Sequence, residues 1–213
     1  MELTHIYDLV KETFDLENAA REKGLALSRD CIQFCANSIR AAHRGDREES
    51  MRLLDAARQN IKAAHVLLEP FHRIYYAGFL QDAEKEFAEA SCTFALIEER
   101  PLPLPVELDV GVAPYLNGLG EAVGEMRRHS LDLIRENDLA KGEYILGVMD
   151  DVYYLLASVD YPNAITAGLK RTNDMVRSVL ERTRGDLTTA IRRQSLENTM
   201  KELEEKLIDR QEP

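Results

Sequence analysis

Glu86 and Glu89 stand three residues apart in a stretch whose apolar residues recur at spacings of four and three: Phe79, Ala83, Phe87, Ala90, Phe94 and Ile97. That rhythm describes one buried helical face. Asp82, Glu86, Glu89 and Thr93 each precede a member of the face by one residue, so a row of acids follows its edge. The stretch Tyr115 to Arg128, YLNGLGEAVGEMRR, repeats the arrangement with Tyr115, Leu119, Ala122 and Met126 as the stripe and Glu121 and Glu125 beside it. Carboxylates gathered in this way repel one another unless a cation or shared protons offset the charge. Oxygen ligands with little histidine suit a hard cation such as Mg²⁺ or Mn²⁺. Acids bordering an apolar stripe are more often a solvated flank or salt-bridge partners, and spacing alone leaves both readings open.

Gly118, Gly120 and Gly124 share the second of these helices. Each helix-interior glycine costs roughly 1 kcal/mol against alanine, so something must offset it. Close approach of a neighbouring helix would do so, and so would room for a metal or a phosphate.

These acids sit in a chain of 213 residues that is 45% hydrophobic and 31% charged, the composition of a helix-rich globular protein with a sizeable core. No apolar run approaches the length of a membrane span and no leader pattern is present, which predicts neither membrane insertion nor secretion. Three cysteines without a CxxC or zinc spacing predict reduced, buried thiols and a cytoplasmic location. A net charge of −11 counts against a generic nucleic-acid binder, although it does not exclude basic groups gathered on one local surface.

Helical periodicity and turn residues predict an all-α protein of about seven helices forming a single domain over 1–213. Met1 to about His43 reads as one very long helix or as two stacked end to end, with Gly24 the weak point, and a turn through Gly45 leads to Asp46 as the next N-cap. Arg47 to Leu68 is the second helix and Phe71 to Arg100 the third. The segment PLPLP, Pro101 to Pro105, is an extended connector. A fourth helix begins at Val110 or Pro114 and ends near Glu136, and a fifth covers Lys141 to Val159. The sixth starts at Pro162 and is expected to stop at Gly185. Asp186 would cap a seventh, and the charged final 25 residues are expected to fray.

Several segments resemble a known family. LALSRDCIQFCANSIRAAHRG, Leu25 to Gly45, is similar to the start of translin and its partner Trax, which carry an LSRD-type run and a later HR. FHRIYY, Phe71 to Tyr76, resembles the region before their third helix. EFAEAS, Glu86 to Ser91, and YLNGLGEAVGE, Tyr115 to Glu125, are similar to the two segments that supply catalytic carboxylates in Trax. Met149 to Arg171 resembles translin's later helices. The ordered set runs through most of the chain and looks like a prokaryotic-type translin superfamily protein, nearer to Trax because it keeps acids that translin lacks. Where Trax has aspartate, this chain has Glu121, one methylene longer.

The resemblance implies a seven-helix translin-type bundle with a long N-terminal helix, assembled as a homo-oligomer, commonly an octamer. It implies a Mg²⁺- or Mn²⁺-dependent endoribonuclease cutting single-stranded RNA, with DNA a further possible ligand. Glu86, Glu89 and Glu121 are then assigned to the metal, and Glu125 serves as ligand, orienter or base. Asp150 competes with Glu121 through the similar segment YILGVMDD, Tyr144 to Asp151. Glu121 is preferred because Glu125 follows it at the family's G-E position. Arg29, Arg40, Arg44, His72 and Arg73 are candidates for phosphate contact, since guanidinium pairs with phosphate bidentately, and surface solubility explains each equally well. A non-catalytic RNA- or DNA-binding oligomer is the principal alternative, and a di-metal oxidoreductase bundle the third.

Overall fold

Gly45 and Asp46 end one helix and begin the next, as their chemistry requires. Gly45 adopts φ +74°, and Asp46 Oδ1 accepts a hydrogen bond from the Glu49 backbone N–H at 3.2 Å. The computed structural model describes residues 3–209. Met1 and Glu2, the expected start of the first helix, lie outside the described residues.

Six long helices and three single-turn helices occupy the described residues, with no strand among them. α1 (Leu3–His43) and α2 (Arg47–Leu68) form a hairpin, and α3 (His72–Tyr75) is one turn. α4 (Phe79–Ile97) carries the first acid row, and α5 (Pro105–Leu108) is a single turn inside the proline-rich connector. α6 (Val112–Arg135) carries the second row. α7 (Leu139–Ala157), the single-turn α8 (Asn163–Thr166) and α9 (Leu169–Asp209) complete the chain. No helix among the described residues is long and apolar enough to cross a membrane.

The helices pack as two groups of three. α1, α2 and α4 contact one another, as do α6, α7 and α9, and the groups meet where α4 packs against α6. Phe87, Leu119, Ala122, Val123 and Met126 fill that junction and are buried. The three cysteines are free and buried.

Three expected boundaries differ. The sixth helix does not run unbroken from Pro162: Ala167 at φ +50° and Gly168 at φ +85° separate α8 from α9. The third helix is not continuous: Gly78 takes φ +102°, which separates α3 from α4, and its N–H donates to Gln81 Oε1 at 3.2 Å. Gly185 does not stop the last long helix, and Asp186 does not cap a new one. The Asp186 carboxylate instead accepts from Arg127 at 2.8 Å. Thr183 and Leu187, on either side of the glycine, are buried against the bundle, so tertiary packing carries the helix through it. The residues expected to fray are helical as far as Asp209.

Candidate metal centre

α4 and α6 approach closely because of Gly118. A Cβ at that position would collide with the Lys85 carbonyl oxygen and lie 2.8 Å from the Glu89 nitrogen and 2.9 Å from Ala88 Cβ. Close helix approach is therefore the reason for this glycine. Gly120 is similarly tight against Thr172 and Leu156, whereas a Cβ at Gly124 would meet nothing.

The same contact brings the two acid rows together. Glu86 and Glu89 of α4 and Glu121 of α6 each offer a carboxylate oxygen, and these lie within 4.8 Å of one another. All three residues are half-buried. Burial, followed by the charges of Glu86, Glu121 and Glu125, pushes the Glu89 carboxyl up to about 8, with Lys85 opposing the shift. The cluster thus holds more negative charge than its surroundings balance. An all-oxygen donor set with these properties fits a hard divalent cation held by Glu86, Glu89 and Glu121.

Glu125 lies one turn beyond Glu121 and is engaged differently. Its Oε2 is 2.6 Å from His43 Nε2 and 3.9 Å from Arg128. The hydrogen bond from His43 holds the Glu125 carboxyl below its ordinary range, against the effect of burial. His43 closes the end of α1, and its side chain is only 3% exposed. The His129 ring lies 6.5 Å from it, and burial followed by the Lys141 charge pushes His129 down.

Lys85 is the cation within the cluster. Its Nζ donates to Glu121 Oε1 at 2.9 Å and lies 3.4 Å from Glu86 Oε1. Beside it opens a groove of about 610 Å³ lined by Gln81, Lys85, Asn117, Glu121, Arg171 and Thr172, among others. Neither Lys85 nor His43 stands out as a functional residue in the sequence. Lys85 is one charge in the mixed run Glu84-Lys85-Glu86, and His43 reads as part of a helix-ending turn.

The other sequence candidates lie elsewhere. Asp150 is on α7 and receives two hydrogen bonds of 2.8 Å from Arg184 of α9. Arg29, Arg40, Arg44, His72 and Arg73 are exposed, and none lines the groove beside the acids. Arg29 and Arg40 are eleven residues apart on one side of α1, about 16 Å along its axis. Glu84, which belongs to neither acid row, is buried. It accepts from His65 at 2.7 Å and from the Gly111 N–H at 3.3 Å, joining α2, α4 and the connector.

No protein-family model matches the chain. An uncharacterised protein of Methanocaldococcus jannaschii is 30% identical over 190 residues, which cover 88% of this chain and 84% of that protein. The crystal structure of AfC3PO matches at a TM-score of 0.76 and 29% identity, covering 89% of this chain and 97% of that one. AfC3PO in complex with duplex RNA matches at 0.68 and 31% identity, with coverages of 89% and 96%. Apo-NeC3PO matches at 0.78 over 87% of this chain and 96% of its own, and at 19% identity it attests the fold alone.

Proposed function

The chain belongs to the translin superfamily, and on that premise we propose that it is a metal-dependent endoribonuclease working inside a homo-oligomer. The observation that carries this reading is the convergence of Glu86, Glu89 and Glu121 beside a groove that also presents Lys85 and Arg171. The cofactor of the reading is Mg²⁺ or Mn²⁺, which supplies neutralisation of a phosphate oxygen and a lowered pKa for a bound water. Glu86, Glu89 and Glu121 hold the charge that fixes its place. Glu125, kept ionised by His43, accepts a hydrogen bond from the attacking water at its carboxylate and orients it toward phosphorus. Arg171 pairs with a phosphate of the strand in the groove.

Assembly is part of the reading. Leu3, Tyr7, Val10 and Phe14 at the start of α1, and Leu196, Met200, Leu203 and Leu207 at the end of α9, are spaced four, three and four residues apart. All eight are exposed in the single chain. Stripes of this kind find cover against the helices of another copy, and the reading takes the assembly to be an octamer in the cytoplasm.

AfC3PO is solved with duplex RNA, so the assay carries both a labelled single strand and a labelled duplex. The single strand is expected to be cut with Mg²⁺ or Mn²⁺ and to survive in EDTA. Glu89→Gln is expected to lower cleavage at least about 100-fold, because the amide keeps the shape and removes the ligand charge. Helical content and RNA retention are expected to stay near wild type. Binding without cleavage under every metal condition would leave the non-catalytic oligomer, in which Lys85 neutralises the acids permanently.

A further inference from the structure

Lys85 places an ammonium where a metal would otherwise supply positive charge. It bridges Glu121 and Glu86, and its side chain is 26% exposed. Among the described residues, no other lysine, arginine or histidine nitrogen lies within 4.0 Å of the Glu86, Glu89 or Glu121 carboxylates. The oxygens that Lys85 bridges belong to two of the three carboxylates assigned to the cation.

A hard divalent ion held by these carboxylates would draw on the same oxygens that Lys85 bridges. An ammonium still bridging the same oxygens would then lie within a few ångströms of a double positive charge. The lysine stem has four rotatable bonds, and the open side of the cluster is the groove that Lys85 already lines with Arg171.

We infer that Lys85 is a resident counter-ion that a divalent cation displaces, and that the released ammonium then joins Arg171 in holding a phosphate of the nucleic-acid strand. The inference rests on the metal reading given above and adds to it a coupling between the two ligands. Without nucleic acid, the ion must displace Lys85 from Glu121 and Glu86. With a strand in the groove, the displaced ammonium gains a phosphate partner, so each ligand favours the other. Coupling of this kind is reciprocal.

The test is Mn²⁺ titration calorimetry on the full-length protein, with and without a single-stranded 2′-deoxy oligonucleotide whose integrity is checked on a gel. Lys85→Met and Lys85→Gln are both used, with circular dichroism to confirm their helical content. Each is expected to bind Mn²⁺ about tenfold more tightly than wild type when no oligonucleotide is present, a step within the usual range for coupled sites. In wild type the oligonucleotide is expected to raise Mn²⁺ affinity several-fold, and in the Lys85 variants that gain is expected to vanish. Glu89→Gln identifies the site, since Mn²⁺ binding there must weaken. If wild type binds Mn²⁺ in a Glu89-dependent way but the folded Lys85 variants bind it no more tightly, the displacement idea falls and the metal reading stands. If tightening occurs but the oligonucleotide gain persists without Lys85, the phosphate role is overturned. Absence of Glu89-dependent Mn²⁺ binding in every variant would remove both.

Discussion

Glu89 pays for its place in the cluster with a proton. Its carboxyl is pushed from the ordinary 4.5 to about 8, first by burial and then by its acidic neighbours. Below pH 4.5 the group is protonated in the folded and unfolded chain alike, and its full contribution to stability is present. Between pH 4.5 and about 8 only the unfolded chain releases the proton, so the metal-free fold loses stability as pH rises. Above about 8 both states are ionised and the loss is complete. Glu89→Gln cannot titrate, so its stability relative to wild type is expected to climb from pH 5 to pH 8 by on the order of 2–3 kcal/mol and then level off. Urea unfolding in EDTA at fixed protein concentration measures this difference, and a flat difference across the range would refute the assignment. The acids themselves are legible in the sequence because helical periodicity sets them beside a buried stripe. Lys85 is not, because its partner Glu121 lies 36 residues away on another helix and nothing local marks the pair.

Between elements, the spacing of α4 and α6 decides whether the carboxylates meet at all. Gly118 packs against backbone atoms of residues 85 and 89, which cannot swing aside as a side chain could. Gly118→Ala is therefore expected to force the helices apart and to cost about 3 kcal/mol, near the upper end for overpacking. Gly124 lies in the same helix with open space at its Cβ, so Gly124→Ala is expected to stabilise the fold by up to about 1 kcal/mol. Thermal unfolding of the two variants should move in opposite directions, and a Gly118→Ala protein as stable as wild type would disprove the close-contact account. The sequence shows that these glycines carry a cost but not which of them packs against backbone. The same limit explains the element boundaries. Gly45 and Gly78 both take positive φ at helix ends, whereas Gly185 sits in mid-helix between buried Thr183 and Leu187. Local chemistry is alike in the three, and only tertiary contacts separate a stop from a continuation. The 4–3 stripe of α4 needed no such context: Ala83, Phe87, Ala90 and Phe94 are all buried.

Across the whole molecule, the two longest helices outrun the bundle that supports them. The first buried residue of α1 is Ala20, and in α9 no residue after Leu187 is buried as far as the described side chains extend. The overhanging ends nevertheless keep apolar residues in a strict four-three-four pattern, and solvent alone provides no reason for that pattern. Isolated helical extensions with one apolar stripe gain most of their stability from tertiary packing, so these ends require a partner surface to justify their regularity. Charge argues against pairing two α1 ends with each other, since Asp8, Glu12, Asp15 and Glu17 outnumber the nearby Lys11 and Arg21. The end of α9 carries Glu197, Glu202, Glu204 and Glu205 beside Arg192, Arg193, Lys201 and Lys206, so it is nearer to neutral than the start of α1. Light scattering on the wild-type protein is expected to report an assembly larger than a dimer. Phe14→Glu in α1 and Leu203→Glu in α9 each place a carboxylate inside a stripe and far from the α4–α6 acids. Both are expected to shift the assembly toward smaller species at micromolar concentration while leaving the helical signal of the bundle intact. A monomeric wild type, or variants that keep the wild-type mass, would show that these stripes do not hold copies together.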